Sequence, residues 1–236
     1  MLKITILIPA KDEEKTIDLV LKDLFREIDK IKDYDFEVLV VDDGCVDSTS
    51  QIAESLGAKI ITNNGAHGKG KALAVGFKQA TGDIIIMLDA DYSHKPEELP
   101  LFIDKIKKDY GLVVGSRILG GSDEYTPVRS FGNIFLTTAF KLFFGIKLTD
   151  ALNGYKAFRK EVVKNHKYHS KDFEIEIELI ANALKEGYKI GEIPSHERER
   201  AGGKMKSRAL IHGPKFLWKI ILEGLKYRIY KTRKHD

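Results

Sequence analysis

The chain has 236 residues, 43% of them hydrophobic, and a formal net charge of +4. That suits one large, folded α/β domain with its own core. No apolar run approaches the roughly 18 residues of a membrane span, Pro9 cuts the first apolar stretch short of a secretory leader, and Cys45 alone cannot form an intrachain disulfide, so a reduced, cytoplasmic setting is expected.

The charge is uneven. From His196 to Asp236 twelve Lys and Arg stand against four Asp and Glu, a balance of +8 that leaves −4 for the rest. Such a tail is either a solvated lysine-rich helix or a surface for an anionic partner. No nucleic-acid recognition motif accompanies it, so no nucleic-acid partner is expected.

In chain order, the first half alternates strands and helices. Ile4–Ile8 reads as a strand. Lys11–Lys32 reads as a helix with Ile17, Val20, Leu21, Leu24, Ile28 and Ile31 on one face. Glu37–Val41 is a second strand, and Asp47–Leu56 a helix capped by Asp47 or Ser48. Ala58–Thr62 is a third strand and Lys69–Ala80 a helix. Asp83–Leu88 is an apolar strand of the kind covered on both faces of a mostly parallel sheet. This rhythm predicts a Rossmann-like open sheet flanked by helices, with ligands bound beyond the carboxyl ends of its strands. The second half is less regular. It offers strands at Gly111–Ser116, Gly154–Phe158 and Lys189–Ile193 and helices at Arg129–Phe144 and Phe173–Glu186. Gly202-Gly203 marks a flexible loop, and Ser207–Lys231 a last helix. The expected organisation is one catalytic domain over residues 1–206 and a basic amphipathic helix over 207–236.

Polar groups recur directly after three strands, at Pro9-Ala10, Asp42-Asp43 and Asp89-Ala90-Asp91. One aspartate after a strand commonly caps the next helix, whereas recurrence at successive strand ends favours a site. Asp89 and Asp91, two apart in an extended segment, point the same way. With diphosphate oxygens and water they would complete an octahedral oxygen shell for Mg²⁺ or Mn²⁺, which would offset the charge on a leaving nucleoside diphosphate. Gly65-Ala66-His67-Gly68-Lys69-Gly70-Lys71-Ala72 nearly matches a phosphate loop between a strand and a helix. Ala72 lacks the hydroxyl that this loop gives to Mg²⁺, which weighs against an ATPase or GTPase.

Together these segments resemble the family 2 glycosyltransferases, whose fold is GT-A. Ile8-Pro9-Ala10-Lys11-Asp12-Glu13-Glu14 is similar to that family's first nucleotide-contacting turn. Val41-Asp42-Asp43-Gly44-Cys45-Val46-Asp47-Ser48-Thr49 is similar to the second, with Cys45 in place of the usual Ser. Gly68-Lys69-Gly70 with Ala72 resembles its G-K-G-x-A helix start, and Asp89-Ala90-Asp91 its metal-binding D-x-D. The resemblance covers about residues 1–206. It implies a nucleotide diphosphate sugar as substrate, with Pro9, Ala10, Glu13, Asp42 and Asp43 at the nucleotide and Lys69 and Gly70 nearby. It also implies a metal on Asp89 and Asp91. The bland reading of Glu13 and Glu14 is a favourable charge in a first helical turn.

The second half resembles the dolichyl- and polyprenyl-phosphate hexosyltransferases within that family. Val114-Gly115-Ser116-Arg117 is similar to their G-S-R segment. Asp150 to Phe158 resembles D-x-x-S-G-[FY]-x-x-F with Asn153 for Ser, Phe173-Glu174-Ile175-Glu176 resembles F-E-x-E, and Arg200 to Lys206 resembles R-x-x-G-x-S-K with Met205 for Ser. The implied acceptor is a polyprenyl phosphate, and Arg117, Arg129, Arg200 and Lys206 are the cations able to clamp it. An anionic acceptor needs no strong base, so catalysis would rest on positioning and charge stabilisation. A hydroxyl acceptor would need a carboxylate base, for which Glu174, Glu176 and Asp150 are candidates. The expected reaction is inverting hexose transfer, with GDP-mannose the first donor and UDP-glucose the second. The alternatives are a soluble glycosyltransferase acting on a saccharide or metabolite hydroxyl, and a non-catalytic sugar-nucleotide-binding subunit.

In the last helix Trp218, Ile221, Leu222, Leu225 and Ile229 share one face, with Phe216 and Ile220 roughly opposite. Lys215, Lys219, Lys226, Arg228, Lys231, Arg233 and Lys234 surround them. This pattern fits peripheral attachment to a membrane surface, expected at its cytoplasmic face. A homodimer contact, a separate membrane subunit, and a helix simply buried on the core remain open.

Overall fold

The structure, a computed structural model, describes residues 1–202 and 209–233. Among the described residues seven strands form one sheet: β1 (Leu2–Ala10), β2 (Tyr34–Asp42), β3 (Lys59–Thr62), β4 (Ile84–Met87), β5 (Leu112–Ser116), β6 (Lys156–Arg159) and β7 (Ile190–Pro194). Their order is β3-β2-β1-β4-β6-β5-β7. Only β6 runs antiparallel to its neighbours β4 and β5, so the sheet is mostly parallel. The helices are α1 (Ile17–Ile28), α2 (Thr49–Ser55), α3 (Lys69–Gln79), α4 (Leu99–Lys107), α5 (Arg117–Gly120), α6 (Pro127–Phe144), α7 (Glu161–Lys164), α8 (Ile175–Lys185) and α9 (Ala209–Arg233).

Alternation in the central strands feeds two cores. Ile4, Ile6, Ile8, Val38, Val40, Ile84 and Ile86 pack under α1, α2 and α4. Leu7, Leu39, Val41, Ile85 and Met87 pack on the other face, with α3, α6, α8 and α9. Each such fully buried aliphatic side chain contributes about 1.5–3 kcal/mol. The chain leaves β1 toward β2 and β3, then returns to lay β4 on the other side of β1. That reversal opens a crevice at the strand carboxyl ends. β1 and β2 reach it together, Ala10 opposite Asp42.

Three sequence expectations need correction. The first helix begins at Ile17, not Lys11, because the preceding amides are spent elsewhere. Glu13 N–H donates to Thr49 Oγ1 (2.8 Å), Glu14 N–H to Asp47 Oδ2 (3.1 Å), and Val46 N–H to Asp12 Oδ1 (2.9 Å). The segments after β1 and β2 therefore clasp each other, and Glu13 and Glu14 lie ahead of α1 in an entry turn that closes on the Glu13 carbonyl, which accepts from Thr16 N–H (3.0 Å) and Ile17 N–H (2.9 Å). The alternation also missed α4, whose Leu99, Phe102, Ile103 and Ile106 make a helical stripe behind Pro96 and Pro100. Finally, the chain is no longer extended at the acidic pair. Ala90 and Asp91 lie in a turn, and Tyr92 takes left-handed backbone at φ 71°.

α9 packs along α6 and α8. Phe216 and Ile220 enter the core, while Trp218, Leu225 and Ile229 stand exposed. Lys219 departs from the expected basic ring: it is buried, 3.0 Å from Glu178 and 3.3 Å from Glu223. Among the described residues, no helix is long and apolar enough to cross a membrane.

Candidate active site

A cavity of about 480 Å³ opens at the carboxyl ends of β1, β2 and β4. Its wall contains Pro9, Ala10, Glu13, Asp43, Lys69, Asp89 and Asp91 on the side of those strands. Arg117, Arg129, Asn153 and Arg200 close it from the second half of the chain. Asp42, Gly70, Asp150 and Glu174 lie behind this wall, and Lys206 falls outside the described residues.

The four residues behind the wall each have a structural occupation. Asp42 accepts from Cys45 N–H (2.7 Å) and Ser50 Oγ (2.6 Å), shaping the turn after β2. Burial raises its pKa, but these bonds prevail and hold it below the ordinary value. Gly70 N–H donates to the Lys171 carbonyl (2.8 Å), as does Lys71 N–H (3.2 Å). A Cβ on Gly70 would lie 2.6 Å from the Ser170 carbonyl. The start of α3 is thus capped by protein backbone, which leaves no phosphate cradle there and disposes of the ATPase-like loop on geometry as well as on Ala72. Glu174 accepts from Asp172 N–H (3.2 Å).

It is Glu176, one helical position pair further along, that reaches the cavity wall. It is buried, and its oxygens meet Lys69 at 3.1 Å and Lys156 at 2.6 Å. The F-E-x-E pattern held this signal, but only the rotation of α8 tells the two glutamates apart. Burial lowers the Lys156 pKa against the pull of Glu176.

Asp89 and Asp91 are each matched by one cation. Lys69 Nζ lies 2.6 Å from Asp89 Oδ1, and Arg200 Nη2 lies 2.6 Å from Asp91 Oδ2. Burial pushes Asp89 up, but the Lys69 charge overrides it and holds the carboxyl well below the usual range. For Lys69 burial acts downward, and Asp89 and Glu176 together leave its pKa raised. Gly154 makes this pairing fit, since a Cβ there would meet Asp89 Oδ2 at 2.8 Å and Lys69 Nζ at 2.9 Å.

The acidic pair is held in place from behind. His94 Nδ1 accepts from Asp89 N–H (3.0 Å), so its ring proton resides on Nε2, 3.1 Å from Asn153 Oδ1. Asn153 Nδ2 donates onward to the Gly115 carbonyl of β5 (2.6 Å). An amide can accept on one side and donate on the other, so Asn153 links His94 to β5 through a single side chain. Asp91 Oδ1 accepts from Ser93 N–H and Oγ (3.0 and 2.6 Å). Arg198 stacks on Tyr92 at 3.9 Å and donates to the carbonyls of Tyr92 and His94, which brings the neighbouring Arg200 over Asp91. His94 and Arg198 carried no motif in the sequence that set them apart.

The arginines of the second half are also matched. Arg117 forks onto Asp150 with Nε–Oδ2 at 2.6 Å and Nη2–Oδ1 at 3.0 Å, and reaches Glu197 at 3.2 Å. Burial opposes its charge, yet these carboxylates leave its pKa raised. Asp150 is fully buried, and the Arg117 charge holds its pKa low against that burial. Tyr125, whose ring lies 5.3 Å from the Arg117 guanidinium, is pushed up to about 12 by burial and then by Asp150. Arg129 is more open and touches Glu124 Oε2 at 3.0 Å.

The carboxylates of Asp89 and Asp91 form an oxygen-only donor set suited to Mg²⁺ or Mn²⁺. Their two negative charges are balanced by two side-chain cations, the same total charge that a divalent ion brings. The residues present therefore fit such an ion.

Comparison with known proteins adds the following. The model for glycosyl transferase family 2 matches residues 5–167. A dolichol-phosphate mannosyltransferase of Pyrococcus furiosus is 32% identical over 100% of this chain, which spans 65% of that relative's length. A dolichyl-phosphate hexose transferase of Haloferax volcanii is 31% identical over 81% of each chain. A solved structure of glucosyl-3-phosphoglycerate synthase from Mycobacterium tuberculosis, with Mn²⁺, uridine diphosphate and phosphoglyceric acid, superposes with a TM-score of 0.73 at 21% identity. It covers 96% of this chain and 78% of that one.

Proposed function

Because the chain belongs to glycosyl transferase family 2, we propose that it moves a hexose, with inversion, from a nucleotide diphosphate sugar to a polyprenyl phosphate. GDP-mannose is the first donor to test and UDP-glucose the second. Pro9, Ala10, Glu13 and Asp43 bind the nucleotide. Asp89 and Asp91 hold Mg²⁺ or Mn²⁺, which when bound offsets charge on the leaving diphosphate. Arg129 and Arg117 orient the acceptor phosphate, whose oxygen attacks the anomeric carbon. α9 attaches the protein to a membrane surface.

The observation that carries this reading is the pairing of carboxylates around the cavity with cations. Asp150 and Glu197 are bound to Arg117, Glu176 to Lys69 and Lys156, and Glu124 to Arg129. A carboxylate committed to cations is a poor base for a hydroxyl, whereas a phosphate acceptor arrives already charged. The relatives' names point the same way. Apolar side chains flank the cavity as well. Val128, Leu136 and Phe216 line the cavity, and Phe131, Phe135 and Trp218 stand exposed on the same two helices, which suits a prenyl chain lying at a lipid surface.

The test is transfer to a short prenyl phosphate by the purified chain, with each donor separately and with Mn²⁺ or Mg²⁺. Sugar appearing in the lipid phase, and lost with EDTA or in Asp91→Ala, is the expected result; one such electrostatic element is worth about 10²–10³ in rate. Donor hydrolysis without lipid product would move the acceptor to a hydroxyl. Nucleotide binding with no turnover would favour a non-catalytic subunit.

A further inference from the structure

Lys69 and Arg200 reach the acidic pair from different parts of the fold, one from the start of α3 and one from beyond β7. Each has a feature that a plain counterion does not need. Lys69 Nζ is shared between Asp89 at 2.6 Å and Glu176 at 3.1 Å, and Glu176 is itself anchored by the buried Lys156 at 2.6 Å. Lys69 therefore keeps a carboxylate partner when Asp89 is taken from it. Arg200 uses Nη2 on Asp91, while its Nε, in the cavity wall, is buried without a hydrogen-bond partner among the described residues. That leaves a donor available to an anion.

Charge closes the argument. Asp89, Asp91 and Glu176 carry three negative charges, and Lys69, Arg200 and Lys156 carry three positive ones. A divalent ion added to this balanced set leaves a buried excess of positive charge, which is costly in a low-dielectric wall. A diphosphate bound beside them would cancel that excess.

We propose that Lys69 and Arg200 are placeholder cations. They pair with the two aspartates, yield them to the divalent ion when it binds, and become ligands of the donor diphosphate. Ion and diphosphate then bind cooperatively, and Glu176 is the positioning residue that keeps Lys69 at the wall during the exchange. This inference rests on the donor half of the function proposed above and is independent of the acceptor.

The experiment is a Mn²⁺ titration of the full chain, following free Mn²⁺ by electron paramagnetic resonance, alone and with GDP or UDP. In the wild type either nucleotide tightens Mn²⁺ binding by about tenfold or more, within the usual range of site coupling. In Lys69→Met and in Arg200→Met, Mn²⁺ alone binds about tenfold tighter than in the wild type, and the tightening by nucleotide shrinks. Lys69→Arg, which keeps the charge, restores the wild-type pattern. Circular dichroism checks each fold, and either methionine variant suffices if the other misfolds. Mn²⁺ affinity that is unchanged or weaker in a folded methionine variant overturns the proposal, as does a wild type in which neither nucleotide affects Mn²⁺. Failure of lipid glycosylation with these binding signatures intact would sink the acceptor reading and leave this one standing.

Discussion

On the wall built by β1, β2 and β4, carboxylates stand at strand ends and receive their partners from distant elements. Lys69 comes to Asp89, Arg200 to Asp91, and the Gly68 amide and Asn63 to Asp43. On the opposite wall arginines stand at the element ends and carboxylates are brought to them, Asp150 and Glu197 to Arg117 and Glu124 to Arg129. The two walls also differ in how tightly each charge is held. Arg117 has 11% of its side chain exposed and is engaged along its whole fork, whereas Arg129 has 27% exposed and is engaged through Nη1. A charge locked on several sides serves the fold as well as any ligand it meets, whereas one with an open side can turn to a ligand at little cost to the fold.

That contrast can be broken most severely at Arg117. Arg117→Ala strands the fully buried Asp150 carboxylate, and removing one partner of a buried pair costs about 3–5 kcal/mol. The melting temperature should fall by roughly 10 °C for a chain of this size. Arg129→Ala should lose about 1 kcal/mol or less, while raising KM for the prenyl phosphate and sparing donor affinity. Equal destabilisation by the two changes would erase the distinction.

Gly154→Ala probes the donor wall without changing its charge. The added Cβ would press on Asp89 and Lys69 at 2.8 and 2.9 Å, and forced repacking costs about 1–3 kcal/mol. Donor affinity measured in the presence of Mn²⁺ should fall by about tenfold with the fold retained, and an unaffected affinity would show that the wall can relax.

Counter-charge also docks α9 on α8, away from the cavity. Burial pushes the Glu223 carboxyl up, but hydrogen bonds from Lys185 and Lys226 outweigh it and bring the pKa from 4.5 to about 2. The unfolded chain then binds a proton that the folded chain refuses, so this contribution is full above pH 4.5 and is lost as pH falls toward about 2. Urea midpoints across that range should drop faster for the wild type than for Glu223→Gln. The smallest stability change is expected from Phe131→Ser and Trp218→Ser, within about 0.5 kcal/mol, because both side chains are largely exposed. Their association with anionic vesicles should nevertheless weaken measurably.

Much of this architecture was legible in residue order. Continuous apolar runs such as Ile6-Leu7-Ile8 and the buried Ile84–Met87 announce central strands, since a strand covered on both faces presents apolar side chains to each. Aspartates placed directly after such strands announce the crevice, because a parallel sheet aligns all those ends on one edge. The two faces of α9 were legible as well, with Phe216 and Ile220 opposed to Trp218 and Ile229. What residue order alone determined is therefore what depends on local spacing: the sheet, its ligand-bearing edge, and which residue types stand there. Tertiary structure alone decided which charge meets which. Lys69 finds Asp89 across 20 positions and Glu176 across 107, Arg117 finds Glu197 across 80, and Glu174 turns away while Glu176 turns in. Those pairings follow from the packing of α3, α8 and the segment after β7 around the sheet, and ion pairing between residues far apart in the chain leaves no periodic trace in the sequence.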